Sequence, residues 1–501
     1  MKAARACHWM LAMTNRMSFT KLLVLGLALV AGPTSLVLPS VWAAPDDPWD
    51  GKRVDPDYQY ATPQAYEDFA DRKFGMRVHW GQYSVLGLNA SGALRRGSCS
   101  KEFREIYLTQ YQLFNPVQFN ADEWAALCSR AGMKYIITTT KHHDGFCLWP
   151  TRTTTRALKR VSSHTHVQTK EVEINDSVMD TPFKRDGIAE LAAAFRKKGL
   201  GFGIHFSHPD WNDYRFRWDF NNRFYDPQYS RKTNPEDWEG WVEQHRKQIL
   251  ELASNYGALM AISFDTGGIP MPEDSFPDIV KTIKMVRQLQ PDCLFRNRGI
   301  GAYGDFDTPE GSVPGGPRGD RERVWEAIDF IGGAWGWQPG DNYKSREWIL
   351  GKLIEAVSKG GNCCLNVSPM PNGKFDPEYV SRLEYVGDWL KVNGEAIYKT
   401  RSRGGELWKE GNDVRFTRSK DSKTVYAISL AWPGSQLALQ SVQPKKGSSI
   451  HLLGWARPLP WRAEGNGVVI EMPEKLRAED SKRPCKQAYA FRINVEPRSN
   501  E

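Results

Sequence analysis

The sequence predicts an α/β fold in two parts: a distorted (β/α)8-like (TIM-type) barrel, followed by a C-terminal all-β sandwich domain. Three observations carry the prediction. From residue 70 onward, β-branched or aromatic runs alternate with segments of helical period. The alternation continues for about 330 residues, enough for a barrel of parallel strands joined by right-handed crossovers. Past residue 402 the helical signals fade and short alternating segments replace them.

Residues 1–43 stand before the fold. Arg16 and Lys21 precede LLVLGLALVAG, an apolar stretch too short to span a bilayer comfortably. It is broken by Gly32-Pro33 and leads to VWA, where small residues suit cleavage after Ala43. This is the pattern of an export signal, with Met17 as an alternative start. The mature chain is expected in the periplasm or outside the cell, with no stable membrane insertion after processing. The barrel is then expected over residues 44–400 and the sandwich over residues 401–501.

GMRVHWG (75–81) reads as the first strand. FNADEWAALCSRAG follows as a helix, with Asn120 as its cap, Glu123 three residues on, Trp124, Leu127 and Cys128 on one face, and Gly132 as a stop. KYIITTT is the next strand, because β-branched and aromatic side chains suit a pleated surface. Residues 152–180 are polar and read as a long excursion above the barrel. DGIAELAAAFRKKGL is amphipathic, gathering Ile188, Leu191, Ala192 and Phe195. GFGIHFS (201–207) is a strand, and the long helix after it sets Trp241, Val242, His245, Ile249 and Leu252 on one side. ALMAISFD, FPDIVKTIKMVRQLQP and CLFRN then read as strand, helix and strand. The Pro/Gly-rich residues 311–320 form a loop, and WEAIDFIGG and NCCLNVSP are further strands. DVRFTRS, TVYAISLAW, GVVIEMP and QAYAFRINV supply the sandwich.

Composition excludes several classes. Without residues 1–43 the formal charge falls from +8 to +4, with the basic residues dispersed, so nucleic-acid binding has no support. Seven cysteines remain, an odd number, and no CxxC pair is present, which argues against a structural zinc site. Adjacent Cys363 and Cys364 lie in an apolar run and read as buried packing. The 22 Phe, 19 Trp and 18 Tyr would suit pockets for ligands with apolar faces, although each ring taken singly is better read as core.

Active sites of such barrels lie at the C-terminal ends of the strands. His79, His142, His143, His205 and His208 fall there, as do Asp144, Asp210, Asp265, Asp305, Asp307 and Glu310. His245 sits on an apolar helix face and reads as a core histidine. A metal centre is not expected. The first strand offers only HWG, without an HxH pair, and neighbours on an extended strand face opposite ways, so His142 and His143 would not share one ion. No cofactor is expected either. Glycoside hydrolysis is the other reading, since it needs two carboxyl groups flanking the scissile bond. Asp265 ends a buried strand and is followed by glycines; it suits an ionised nucleophile, and equally a turn cap at Thr266-Gly267. Glu310, on a loop with Pro and Gly, suits an acid/base whose pKa is raised by partial burial.

FGMRVHWGQYSVLG, AGMKYIITTTKHHDGFCLWPT, ISFDTGG, GDFDTPE and SKGGNCCLNVSPMPNGKFDP, in this order over residues 60–400, resemble glycoside hydrolase family 29, the retaining α-L-fucosidases. The resemblance implies Asp265 as nucleophile and Glu310 as acid/base, with Asp307 and Glu326 in reserve. It implies His79, His142, His143 and His205 as ligands of the sugar, Arg298 beside the nucleophile, and Trp335 against the sugar's apolar face. A fucosylated glycan is the implied partner. Three departures stand out. Ser263 occupies a position where many relatives have Trp, His205-Phe206 stands where paired tyrosines are common, and a Glu-Trp pair after the first strand has no counterpart. These leave open a related activity on α-L-galactosides, or a carbohydrate-binding protein without catalysis.

Overall fold

The computed structural model describes residues 54–497 apart from 96, 163–166, 269–270 and 318–322; the expected leader, 1–43, lies outside the described residues. Eight parallel strands form the N-terminal part: β1 (Phe74–Val78), β2 (Tyr135–Lys141), β5 (Gly201–Ser207), β6 (Ala261–Asp265), β7 (Leu294–Phe295), β8 (Phe306–Asp307), β9 (Val324–Phe330) and β10 (Asn362–Asn366). Between β2 and β5 the chain adds a hairpin, β3 (Thr155–Ser162) and β4 (Val167–Ile174). The strand order β7-β6-β5-β2-β1-β10-β9-β8 is that of an unrolled barrel, and its two edges meet through one bridge, Arg296 to Phe306. The polar excursion expected at 152–180 is thus largely an antiparallel ribbon.

Helices cover the barrel, four of them where the apolar period predicted them and two, Arg346–Ser358 and Pro377–Asn393, beyond those predicted. Ala121–Arg130 is capped by Asn120, whose Oδ1 accepts from the Glu123 amide at 3.2 Å. Gly187–Lys197, Pro235–Asn255, Phe276–Leu289, Arg346–Ser358 and Pro377–Asn393 complete the layer. Among the described residues, no α-helix separates β7 from β8 or β8 from β9, which is where the barrel departs from regularity. GDFDTPE, expected as a loop, supplies the two-residue strand β8 instead.

Alternation along the strands sorts two populations. Phe74, Met76 and Val78 of β1, and Phe202, Ile204 and Phe206 of β5, join the large core under the helices. Their neighbours face the barrel axis, where the filling is unusual. A small apolar layer of Tyr135, Ile137, Ile328 and Cys364 lies low in the barrel. Arg77, Arg296 and Glu326 are also buried, and they bring net charge into the interior. Cys363 and Cys364 divide between the outer and inner cores, and all seven described cysteines are free thiols.

Beyond the barrel, antiparallel sheets of five and three strands span Lys409–Asn494 and enclose Phe416, Leu452, Ile470 and Phe491. Trp389 of the last barrel helix donates its indole N–H to the Ala488 carbonyl at 2.7 Å, and Arg401 pairs with Asp71 at 2.8 Å, so this module is seated against the barrel.

Candidate active site

The site forms at the C-terminal rim. β6 ends on Asp265, an inward position by alternation, after a strand buried throughout. His143 Nε2 stands 3.0 Å from one carboxylate oxygen of Asp265, and Arg298 Nη1 stands 2.9 Å from the other. Arg298 Nη2 reaches Glu310 at 2.5 Å, so a single guanidinium bridges the two carboxyl groups. Arg296, two residues earlier and on the same side of the chain, backs both: 3.9 Å from Asp265 and 3.6 Å from Glu310.

Electrostatics follow from this arrangement. Burial pushes the Asp265 carboxyl upward, but the hydrogen bond and charge of His143, with Arg298 and Arg296, outweigh it and hold the group well below the ordinary range. Asp265 is therefore an anion at any working pH. Glu310 overturns an expectation. Burial again acts upward, yet Arg298 and Arg296 win, and its pKa is lowered, not raised. Nor is its backbone loose: it bridges to Ile328 of β9, and Gly311 N donates to the Ile328 carbonyl at 2.9 Å.

His142 and His143 correct the strand-alternation argument. β2 ends at Lys141, after a register shift between Thr139 and Lys141, so neither histidine is on extended strand. HHDG is instead a turn: Gly145 N donates to the His142 carbonyl at 3.1 Å, and Asp144 Oδ1 accepts from Phe146 N. Gly145 has φ +82°, and a Cβ there would lie 2.5 Å from Asp210 Oδ1. The turn brings both rings to the same side, with centroids 4.5 Å apart. His143 stacks on Trp211, whose indole is fixed by Asp219 at 2.7 Å.

His79, His142 and His205 each bring a ring nitrogen within 4.8 Å of the others, and His142, His143 and Asp265 form a second such group. Either could in principle embrace a cation, so the donor chemistry matters. His79 Nδ1 lies 2.6 Å from Asn366 Oδ1, an oxygen fixed by Asn366 Nδ2 donating to the Trp335 carbonyl. Nδ1 of His79 therefore carries the proton, leaving the Nε2 lone pair open. His205 is the reverse. Arg77 Nη2 sits 2.7 Å from its Nδ1, and a guanidinium only donates, so Nδ1 accepts. Burial, with the nearby Arg77 charge, holds His205 well below its ordinary pKa, so the ring is neutral and its proton is on Nε2. A nitrogen bearing a proton has no lone pair for a metal, and the trio fits hydroxyl groups better than an ion. His142 Nδ1 pairs with Ser91 Oγ at 2.5 Å.

All eight sequence candidates, Asp265, Glu310, His79, His142, His143, His205, Arg298 and Trp335, gather at this rim, with the Trp335 ring 5.0 Å from that of His79. The two reserve acids are elsewhere engaged. Asp307 pairs with Arg323 at 3.3 Å, and Glu326 lies beneath the site, accepting from Tyr135 at 2.9 Å. Asp305 is structural, taking Arg287 at 2.6 Å and the Phe295 amide at 2.8 Å. His208 and His245 pair at 2.8 Å in the core. Sequence reasoning missed Arg296, although its spacing from Arg298 in FRNRG places both on one face. It also missed Arg77, Asn366, Ser91 and Trp211, of which Arg77 and Asn366 lay in quoted motifs.

A barrel whose rim holds an ionised carboxylate, a second carboxylate across a shared arginine and three histidines that burial keeps neutral, His79, His142 and His205, defines a glycoside-hydrolase type of enzyme. Comparison with known proteins gives the family. Residues 51–395 match the Alpha-L-fucosidase family model, and residues 409–494 match the Alpha-L-fucosidase C-terminal domain. The chain belongs to the alpha-L-fucosidase family and is a glycoside hydrolase. It is 29% identical to the plasma alpha-L-fucosidase of Pongo abelii, covering 88% of this chain and 93% of that protein. Among solved structures it is similar to alpha-L-fucosidase isoenzyme 1 from Paenibacillus thiaminolyticus, with 26% identity, 86% and 99% coverage and a TM-score of 0.69. It is also similar to Thermotoga maritima alpha-fucosidase in complex with fucose, with 25% identity, 88% and 100% coverage and a TM-score of 0.67.

Proposed function

We propose that the protein is an exported, metal-independent, retaining exo-α-L-fucosidase that removes terminal α-L-fucosyl residues from glycans by double displacement. The observation that carries this reading is the Arg298 bridge, which sets Asp265 and Glu310 on either side of one guanidinium. Sharing one guanidinium makes the two carboxyl groups neighbours at the rim, as a nucleophile and an acid/base acting on the same bond must be. Asp265, kept ionised, attacks the anomeric carbon and forms a covalent fucosyl-enzyme. Glu310 protonates the departing oxygen, then takes a proton from the water that releases the sugar. Because the arginines hold Glu310 ionised in the free enzyme, the leaving-group oxygen has to displace Arg298 from it, and this raises its pKa as the substrate seats.

His79, His142 and His205 meet the sugar's hydroxyls, and His143 holds the nucleophile. Trp335 offers an apolar ring beside His79. The leader pattern at residues 1–43 supports export. The test is turnover of an aryl α-L-fucoside by the wild type and Asp265→Ala, with the anomer of the first-formed sugar read by NMR. Loss of turnover in a folded Asp265→Ala, with α-L-fucose released first by the wild type, is expected. Wild-type rates in Asp265→Ala, or release of the β anomer, would defeat the assignment.

A further inference from the structure

The barrel interior below the histidines holds a buried polar chain that the reaction above does not use. Tyr135 crosses the barrel over Gly75, where a Cβ would lie 2.2 Å from the tyrosine ring, and its hydroxyl donates to Glu326 at 2.9 Å. Glu326 lies 3.8 Å from Arg77 Nη1, and both side chains are within 1% of complete burial. Arg77 Nη2 then donates upward to His205 Nδ1 at 2.7 Å and to Ser263 Oγ at 3.1 Å. Ser263, two residues before the nucleophile, is small enough to leave the guanidinium this space. Burying a charge pair costs several kcal/mol per ion by order of magnitude, and an apolar filling would be no less stable, so the pair calls for a reason other than stability.

We propose that Arg77 is a positioning residue: it locks His205 as an Nε2–H donor opposite the Nε2 acceptor of His79, so that the two rings together accept only a group that both takes and gives a hydrogen bond, a sugar hydroxyl. His205 Nε2 is buried and has no protein partner, and one ring nitrogen of each of the two histidines lies within 4.8 Å of the other's, a gap one hydroxyl oxygen bridges. Its lone pair takes the His205 proton, and its own proton goes to His79, whose Nδ1 is committed to Asn366. A fluorine or an ether oxygen at the same carbon accepts but cannot donate. The inference rests on the fucosidase reading for the identity of the sugar, but the lock itself does not depend on it.

The test compares two double variants of the full chain, both with Glu326 neutralised so that no lone charge is left buried: Arg77→Gln/Glu326→Gln keeps a donor to His205 Nδ1, and Arg77→Met/Glu326→Gln removes it. Long-range 15N–1H spectra of histidine-labelled protein, with His205 assigned through His205→Gln, report the tautomer. The wild type is expected to show Nε2–H at His205, the Gln variant to keep it, and the Met variant to populate Nδ1–H. KM for an aryl α-L-fucoside should rise about tenfold in the Met variant relative to the Gln variant, the scale of one lost hydrogen bond. That difference should vanish for the one singly deoxygenated fucoside that lacks the bridging hydroxyl. Nδ1–H at His205 in the wild type overturns the lock with no variant needed, as does an equal tautomer or equal KM in the two doubles. Absence of fucoside turnover by the wild type would defeat the functional reading alone, since the tautomer spectra still decide the lock.

Discussion

Replacing Arg298 by Met removes the cation shared by Asp265 and Glu310 while nearly keeping its volume. Arg298 Nη1 is 2.9 Å from Asp265 and Nη2 is 2.5 Å from Glu310, and all three side chains are at least two-thirds buried. A pair of charges about 4 Å apart interacts by about 4 kcal/mol at an effective dielectric near 20. Arg296 remains at 3.9 and 3.6 Å and preserves part of the attraction, while the two carboxylates now repel with less screening between them. The pKa of both carboxyl groups therefore rises. The sign is the same for both groups: each carboxyl is held low by the cation, so each rises when it leaves. The nucleophile then ionises only at higher pH, and the acid stays protonated to higher pH. Both limbs of the kcat/KM profile for an aryl α-L-fucoside should move toward alkaline pH. Limbs that stay in place in a folded Arg298→Met would refute the assignment of these two carboxylates to the rate.

Further outcomes can be checked alongside. Gly267 has φ +66°, and a Cβ there would lie 3.0 Å from His143 Nε2; Gly267→Ala should push the imidazole off Asp265 and lower kcat about tenfold, with circular dichroism unchanged. Burial, opposed by the Tyr107 hydroxyl and the Phe146 amide, pushes Asp144 up from 3.8 to about 6. Because the folded value is raised, its contribution to stability is complete below the unfolded pKa and is lost as pH rises to about 6. Asp144→Asn should therefore flatten the fall in Tm across that window, a difference of up to about 3 kcal/mol by the size of the shift. Dialysis against a chelator should leave turnover unchanged, because His205 presents a proton, not a lone pair, to its neighbours; restoration by an added divalent ion would contradict the tautomer assigned to it.

The fold was legible because barrel strands and their covering helices write different periods into the chain. KYIITTT and GFGIHFS could be read as strands, and Asn120 as a cap, from local chemistry alone. The short strand at Phe306–Asp307 was not legible, since two residues carry no period and their strand identity comes from pairing with Val324 and Trp325. The same held for the ribbon β3–β4, whose polar composition fits a loop as well as an exposed hairpin.

At the site, residue types and their places at strand ends determined which side chains would meet: a carboxylate closing a buried strand and histidines just past two others have few places to go in a barrel. What the side chains are in chemical terms was decided only by the tertiary structure. Glu310 was expected to have its pKa raised by burial, but the arginines just past β7 reverse the sign. His142 and His143 were expected to diverge, but the turn closed by Gly145 makes them converge. Which nitrogen of His205 carries its proton is set by Arg77, more than a hundred residues away in the chain. Sequence fixes the inventory of groups and their local conformation, whereas charge state and tautomer depend on distances of a few ångströms between residues far apart in the chain, and those exist only once the barrel has closed.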